Sequence, residues 1–178
     1  MKHTLVNLAV FKAAWTAVVV SAAAGAPVIG VIAVAAAVSF HLWYSDNPET
    51  EIRLLVAAAA LGFGWESVLV IAGLVEYSSG NWLPGLAPFW IVAMWVLFAT
   101  TLNVGMRWLR RNTAVATIAG AIGGPLAFFA GASIGAVEFA SPVIALACIG
   151  IGWAVMLPLL VKLAIHLESS YRLAEQSA

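Results

Sequence analysis

Apolar positions fall in six long stretches, at about 5–24, 28–44, 53–74, 88–103, 113–134 and 143–163, separated by short polar or helix-breaking segments. In each stretch the apolar residues surround the helix axis instead of forming a stripe, and helices that are apolar all round belong in lipid. About 20 such residues cross the roughly 30 Å hydrocarbon layer, and every stretch reaches or approaches that length. The breaks have physical causes. Gly25-Ala26-Pro27 ends one helix and starts the next, because proline opens a helix well and continues one badly. Ser45-Asp46-Asn47-Pro48-Glu49 is a polar turn leading into an N-cap region at Thr50 and Glu51. Residues 76–85 form the longest loop, Arg107-Trp108-Leu109-Arg110-Arg111 a basic connector, and residues 138–142 a short turn. A membrane barrel would instead show alternating segments of about ten residues. The pattern predicts an all-α, single-domain, polytopic bundle of six transmembrane helices.

Composition agrees with lipid as the solvent. The 178 residues are 63% hydrophobic and 9% charged, against roughly a quarter charged in an ordinary soluble domain. Net charge is zero and no basic patch points to nucleic acid. The single cysteine, Cys148, lies in an apolar run and is expected to pack as a small hydrophobe.

Lysine and arginine set the predicted orientation. With six crossings and both ends on the cytoplasmic side, all eight basic residues fall inside, and the outer loops carry Glu76 and Glu138. Residues 1–26 also have the form of a cleaved secretory signal, although Lys12 interrupts the apolar region. Trp43, Trp82, Trp90 and Trp108 fall near the predicted interfaces as anchors, whereas Trp15, Trp65, Trp95 and Trp153 lie deeper and are expected to pack.

Few residues could carry chemistry. Glu66 is deep in the third stretch, with Gly62 and Gly64 one turn earlier. A carboxylate in hydrocarbon must be paired, protonated or facing a wet cavity. It is either a proton, cation or headgroup site, or a hydrogen bond to a neighbouring helix. Lys12 is its candidate partner. At 1.5 Å rise per residue the two differ in depth by roughly 8 Å, so a pair would be strained, and snorkelling to the interface is the alternative. Gly123-Gly124-Pro125 interrupts the fifth stretch and could line a cavity as a broken helix, or serve tight packing through the Gly120–Gly124 and Gly131–Gly135 spacings. Asn103, with Thr100 and Thr101, offers polar atoms near the end of the fourth stretch. Arg107, Arg110 and Arg111 act as topology determinants or attract anionic headgroups. Glu138 is an outer acidic residue. His41 and His166 lack metal-ligand spacing, and no phosphate-binding loop, histidine box or serine-nucleophile motif is present. No metal or other cofactor is expected.

The runs Gly85-Leu86-Ala87-Pro88-Phe89-Trp90, Trp95-Val96-Leu97-Phe98-Ala99-Thr100-Thr101-Leu102-Asn103, Trp108-Leu109-Arg110 and Gly123-Gly124-Pro125-Leu126-Ala127-Phe128 through Gly135-Ala136 carry a resemblance. Over nearly the whole chain, and most strongly from Gly85 to Phe139, it resembles a family of short bacterial inner-membrane proteins, domain of unknown function 2878. The resemblance implies an acidic residue, often aspartate, where Glu66 stands, and a tyrosine where Phe128 or Phe129 stands, so this chain lacks that hydroxyl. It implies no defined activity, and leans towards lipids only through a gene association with fatty-acid modification.

Three functions follow as expectations. The first is a small-solute or lipid transporter-like protein with a polar path past Glu66 and Asn103. The second is a membrane enzyme or accessory acting on lipid chains or headgroups, using Glu66 and Glu138. The third is a non-catalytic scaffold whose glycine-faced helix binds a partner membrane protein. Membrane lipids are the expected partners, and a second copy of the chain is also open.

Overall fold

A computed structural model describes residues 2–176. Among these, six α-helices form: α1 (Lys2–Ala23), α2 (Pro27–Trp43), α3 (Pro48–Ile71), α4 (Phe89–Ala99), α5 (Thr113–Ile134) and α6 (Pro142–Gln176). Two short strands, β1 (Val75–Tyr77) and β2 (Val137–Phe139), follow α3 and α5, and a 3-10 helix covers Arg107–Arg111. The helices alternate in direction. The strand pair lies at one end of the bundle and the 3-10 helix at the other.

The expectation of six membrane crossings is corrected. Among the described residues, four helices are long and apolar enough to span a membrane: α1 over His3–Ala23, α3, α5, and α6 over Pro142–Tyr171. The chain is a multi-pass membrane protein with four such helices and two shorter apolar ones. The 17 residues of α2 extend about 25 Å and the 11 of α4 about 16 Å, both short of the roughly 30 Å layer. Local chemistry shortens α4. The Thr100 and Thr101 hydroxyls donate to the Leu97 and Phe98 carbonyls, and the chain passes through turns at 100–106 into the 3-10 helix. The assignment of both chain ends to the cytoplasmic side was read from that six-crossing topology and is not carried over to the four-span fold.

Side-chain caps and glycine set the helix ends, and α3 starts earlier than the Thr50–Glu51 cap region read from the sequence. Asn47 accepts from the Thr50 amide at 3.2 Å to cap α3, with Pro48 at its first turn. Asn112 caps α5 through the Ala114 amide at 2.8 Å, and Gly135 closes it in the left-handed region at φ 89°. β1 and β2 pair antiparallel, with Glu76 opposite Glu138 and Tyr77 opposite Val137. Their alternation turns Val75 and Tyr77 inward and Glu76 outward.

Glycines notch the helices where tryptophans cross them. Trp95 of α4 lies against Gly62 of α3, Trp65 of α3 against Gly152 of α6, and Trp153 of α6 against Gly124 of α5. This chain of contacts ties α4, α3, α6 and α5 together. On the other side α1 packs chiefly on α2 and touches α5 little, which leaves an opening between α1 and α5.

Candidate functional site: an aromatic cavity beside Glu66

Glu66 has no exposed surface, and both of its oxygens are occupied. Tyr77 Oη donates to Oε2 at 2.6 Å, and Trp95 Nε1 donates to Oε1 at 2.9 Å. The chain turn after α3, with Gly73 at φ 64°, brings β1 back so that its inward Tyr77 reaches down to a residue on the preceding helix. Burial first, and the Glu66 carboxylate second, hold the Tyr77 phenol well above its ordinary range, so it remains a donor. Tyr77 also packs edge-to-face with Trp90 at 5.3 Å between ring centroids. Glu66 is therefore a fastener between α3, α4 and the strand pair.

On the far side of Trp95 a cavity of about 450 Å³ opens between α1, α4, α5 and α6. Its wall is aromatic: Phe11, Trp15, Trp90, Trp95, Phe98 and Trp153 contribute, and Trp95 stacks on Trp153 at 4.6 Å. Gly123 and Gly124 form part of the α5 wall. Glu66 borders this space from behind Trp95, and its lack of exposed surface means that it presents no free carboxylate there. Lys12 is the other ionisable residue of the lining. It is exposed, and its Nζ lies 4.3 Å from the centre of the Trp15 ring.

The structure separates the residues that the sequence singled out. Lys12 meets Trp15 and forms no ion pair with Glu66. Gly62 faces Trp95, while a Cβ on Gly64 or Gly123 would meet nothing within 4 Å. Gly120 and Gly124 face Trp153 within the chain. The backbone stays helical through Pro125. Glu138 is exposed beside Glu76 on the strand pair.

Asn103 belongs to a different cluster, at the 3-10 end. It donates to Glu51 Oε1 at 2.6 Å and accepts from Arg110. Glu51 Oε2 pairs with His41 Nε2 at 3.0 Å, and Arg110 also pairs with Glu168, which accepts from Arg107 at 3.2 Å. This line of polar contacts joins α2, α3, the 3-10 helix and α6. Among the described residues no group of three or more histidine, cysteine or acidic side chains could hold a metal.

A family profile described as a protein of unknown function, DUF2878, matches residues 4–159. The chain belongs to that family. The resemblance read from the glycine, tryptophan and asparagine pattern is thereby confirmed. No curated protein and no solved structure matches the chain.

Two features of the DUF2878 chain were not read from its sequence. Tyr77 as the partner of Glu66 depends on a reversal after α3 that shows only as Gly73. Glu51, read as part of a helix cap, is buried against His41 because α2 and α3 lie side by side there.

Proposed function

We propose that this DUF2878 protein handles a lipid-type molecule, taking its apolar chain sideways from the bilayer into the cavity between α1 and α5. One observation carries the reading: the cavity is walled by aromatic and aliphatic side chains and small residues, with Lys12 as its one cation. Its size falls within the range of small-molecule sites, and an apolar wall favours an acyl chain over a polar solute. The covered Glu66 weighs against a polar path through its carboxylate. Helical spans, as opposed to a closed barrel, support placement in a bacterial inner membrane.

Gly123 offers a direct test, because a side chain there meets open space in the cavity wall. Gly123→Leu should fold normally and fill part of the cavity. Native mass spectrometry of the detergent-purified chain should find a retained lipid-type molecule on the wild type and little on Gly123→Leu. Equal retention by both would count against the cavity as the site.

A further inference from the structure

Lys12 is poorly explained as a structural residue. It lies about 14 Å along α1 from His3, inside the segment His3–Ala23 that is apolar and long enough to span a membrane. A lysine at such depth is costly unless it is matched by an anion or reaches water. Among the described residues no carboxylate pairs with it and no side chain or carbonyl accepts a hydrogen bond from it. Its one contact of note is the Trp15 ring face, which attracts the cation but accepts none of its three N–H donors in the usual sense. The ammonium is thus held in place with its donors still available.

Its position within the cavity gives it direction. The lining residues Phe11 and Lys12 of α1 lie toward the 3-10 end, with Met106, Trp108 and Leu109, while Val19, Gly131, Ala136 and Val137 line the strand end. Asn7 fixes this register, because its side chain donates to the Thr100 carbonyl and accepts from the Gly105 amide. The strand end has no cation in the lining. The cavity is therefore polar at one end and apolar along its length, the complement of an amphiphile with one negative head and one chain.

Resting on the cavity reading above, we infer that Lys12 is a headgroup-recognising residue, and that the ligand is a single-chain amphiphile with an anionic head. The head sits against Lys12, beside Trp15 and Trp108, and the chain runs between α1 and α5 towards Val137. A volume of about 450 Å³ accommodates one chain; a two-chain lipid would have to leave its second chain in the bilayer.

The test uses dibromostearic acid, whose bromines quench nearby tryptophans, and its neutral methyl ester, added to the purified full-length chain in detergent. Quenching beyond that of Gly123→Leu reports the cavity and removes the contribution of general partitioning. The acid should bind roughly tenfold more tightly than the ester, the scale of one charge-assisted contact. Lys12→Met should abolish that preference, and Lys12→Arg should retain it. An unchanged acid preference in Lys12→Met overturns the role of Lys12 while leaving the cavity intact. No excess quenching by either compound defeats the cavity reading itself. A brominated two-chain anionic phospholipid that excludes the acid, with the same Lys12 dependence, overturns single-chain occupancy.

Discussion

Gly62 and Trp95 share one volume: a Cβ placed on Gly62 would stand 2.2 Å from Cγ of the Trp95 indole. The absence of a side chain at residue 62 lets the ring lie flat on α3 with its Nε1 aimed at Glu66 one turn later. Gly62→Ala should therefore cost about 1–3 kcal/mol, the usual range for overpacking, and weaken the Trp95–Glu66 hydrogen bond. Gly64→Ala, two residues away where an added Cβ meets nothing within 4 Å, should not destabilise and should gain up to about 1 kcal/mol from helix propensity. Thermal or denaturant unfolding in detergent compares the two. Equal costs would mean that the glycine notch is not what seats Trp95.

The Glu66 contacts make a second prediction. Tyr77→Phe leaves one buried carboxylate oxygen without its donor, and should lower stability by about 1–3 kcal/mol. In Glu66→Gln the amide nitrogen cannot accept, so one of the two donors loses its acceptor, with a similar cost. Because the two side chains are in direct contact, the cost of the double variant should depart from the sum of the singles. Simple additivity in a double-mutant cycle would show that the two residues do not interact.

Tyr77 also predicts an alkaline response. Its phenol is raised in the folded protein above the usual value of about 10, so the folded state holds this proton more tightly than the unfolded state. The stabilising contribution is fully present below pH of about 10 and is lost as pH climbs from there towards the raised folded value. Tyr77→Phe should flatten that part of the pH–stability curve. An alkaline decline of the same size in the variant would assign it to other groups.

At the opposite end, Asn103 joins Glu51 to Arg110. Asn103→Leu removes an acceptor from Arg110 and a donor from Glu51, and should cost about 1–3 kcal/mol. The loss should appear as faster hydrogen exchange in α3 and the 3-10 helix, with the strand pair unaffected. Protection unchanged around Glu51 would mean that the contact contributes little.

Much of this architecture was legible in the sequence, and the reasons are local. The six apolar stretches and the Pro27 start of α2 depend on residues next to one another, so they could be read directly, whereas α3 begins at Pro48 under an Asn47 cap, inside what reads as a polar turn ahead of a cap at Thr50 and Glu51. The number of crossings could not. The fourth stretch reads as apolar to Asn103, yet Thr100 and Thr101 turn their hydroxyls onto the preceding carbonyls and the helix ends at Ala99. Glu66 stood out because a carboxylate among apolar residues is conspicuous. Its partners did not, since Tyr77 and Trp95 reach it only after a chain reversal and a helix crossing. The cavity was least legible of all, because it arises where α1 and α5 make little contact, a relation between helices that no single stretch records.

The proposed function requires an apolar chain to enter between α1 and α5. Crystals of the protein grown with dibromostearic acid would test it most directly, through the anomalous signal of bromine. A bromine peak is expected inside the cavity, within contact of Trp95 or Trp153, with the carboxylate at Lys12. Bromine found only on the outer, lipid-facing surfaces of the helices, with the cavity empty, would contradict it.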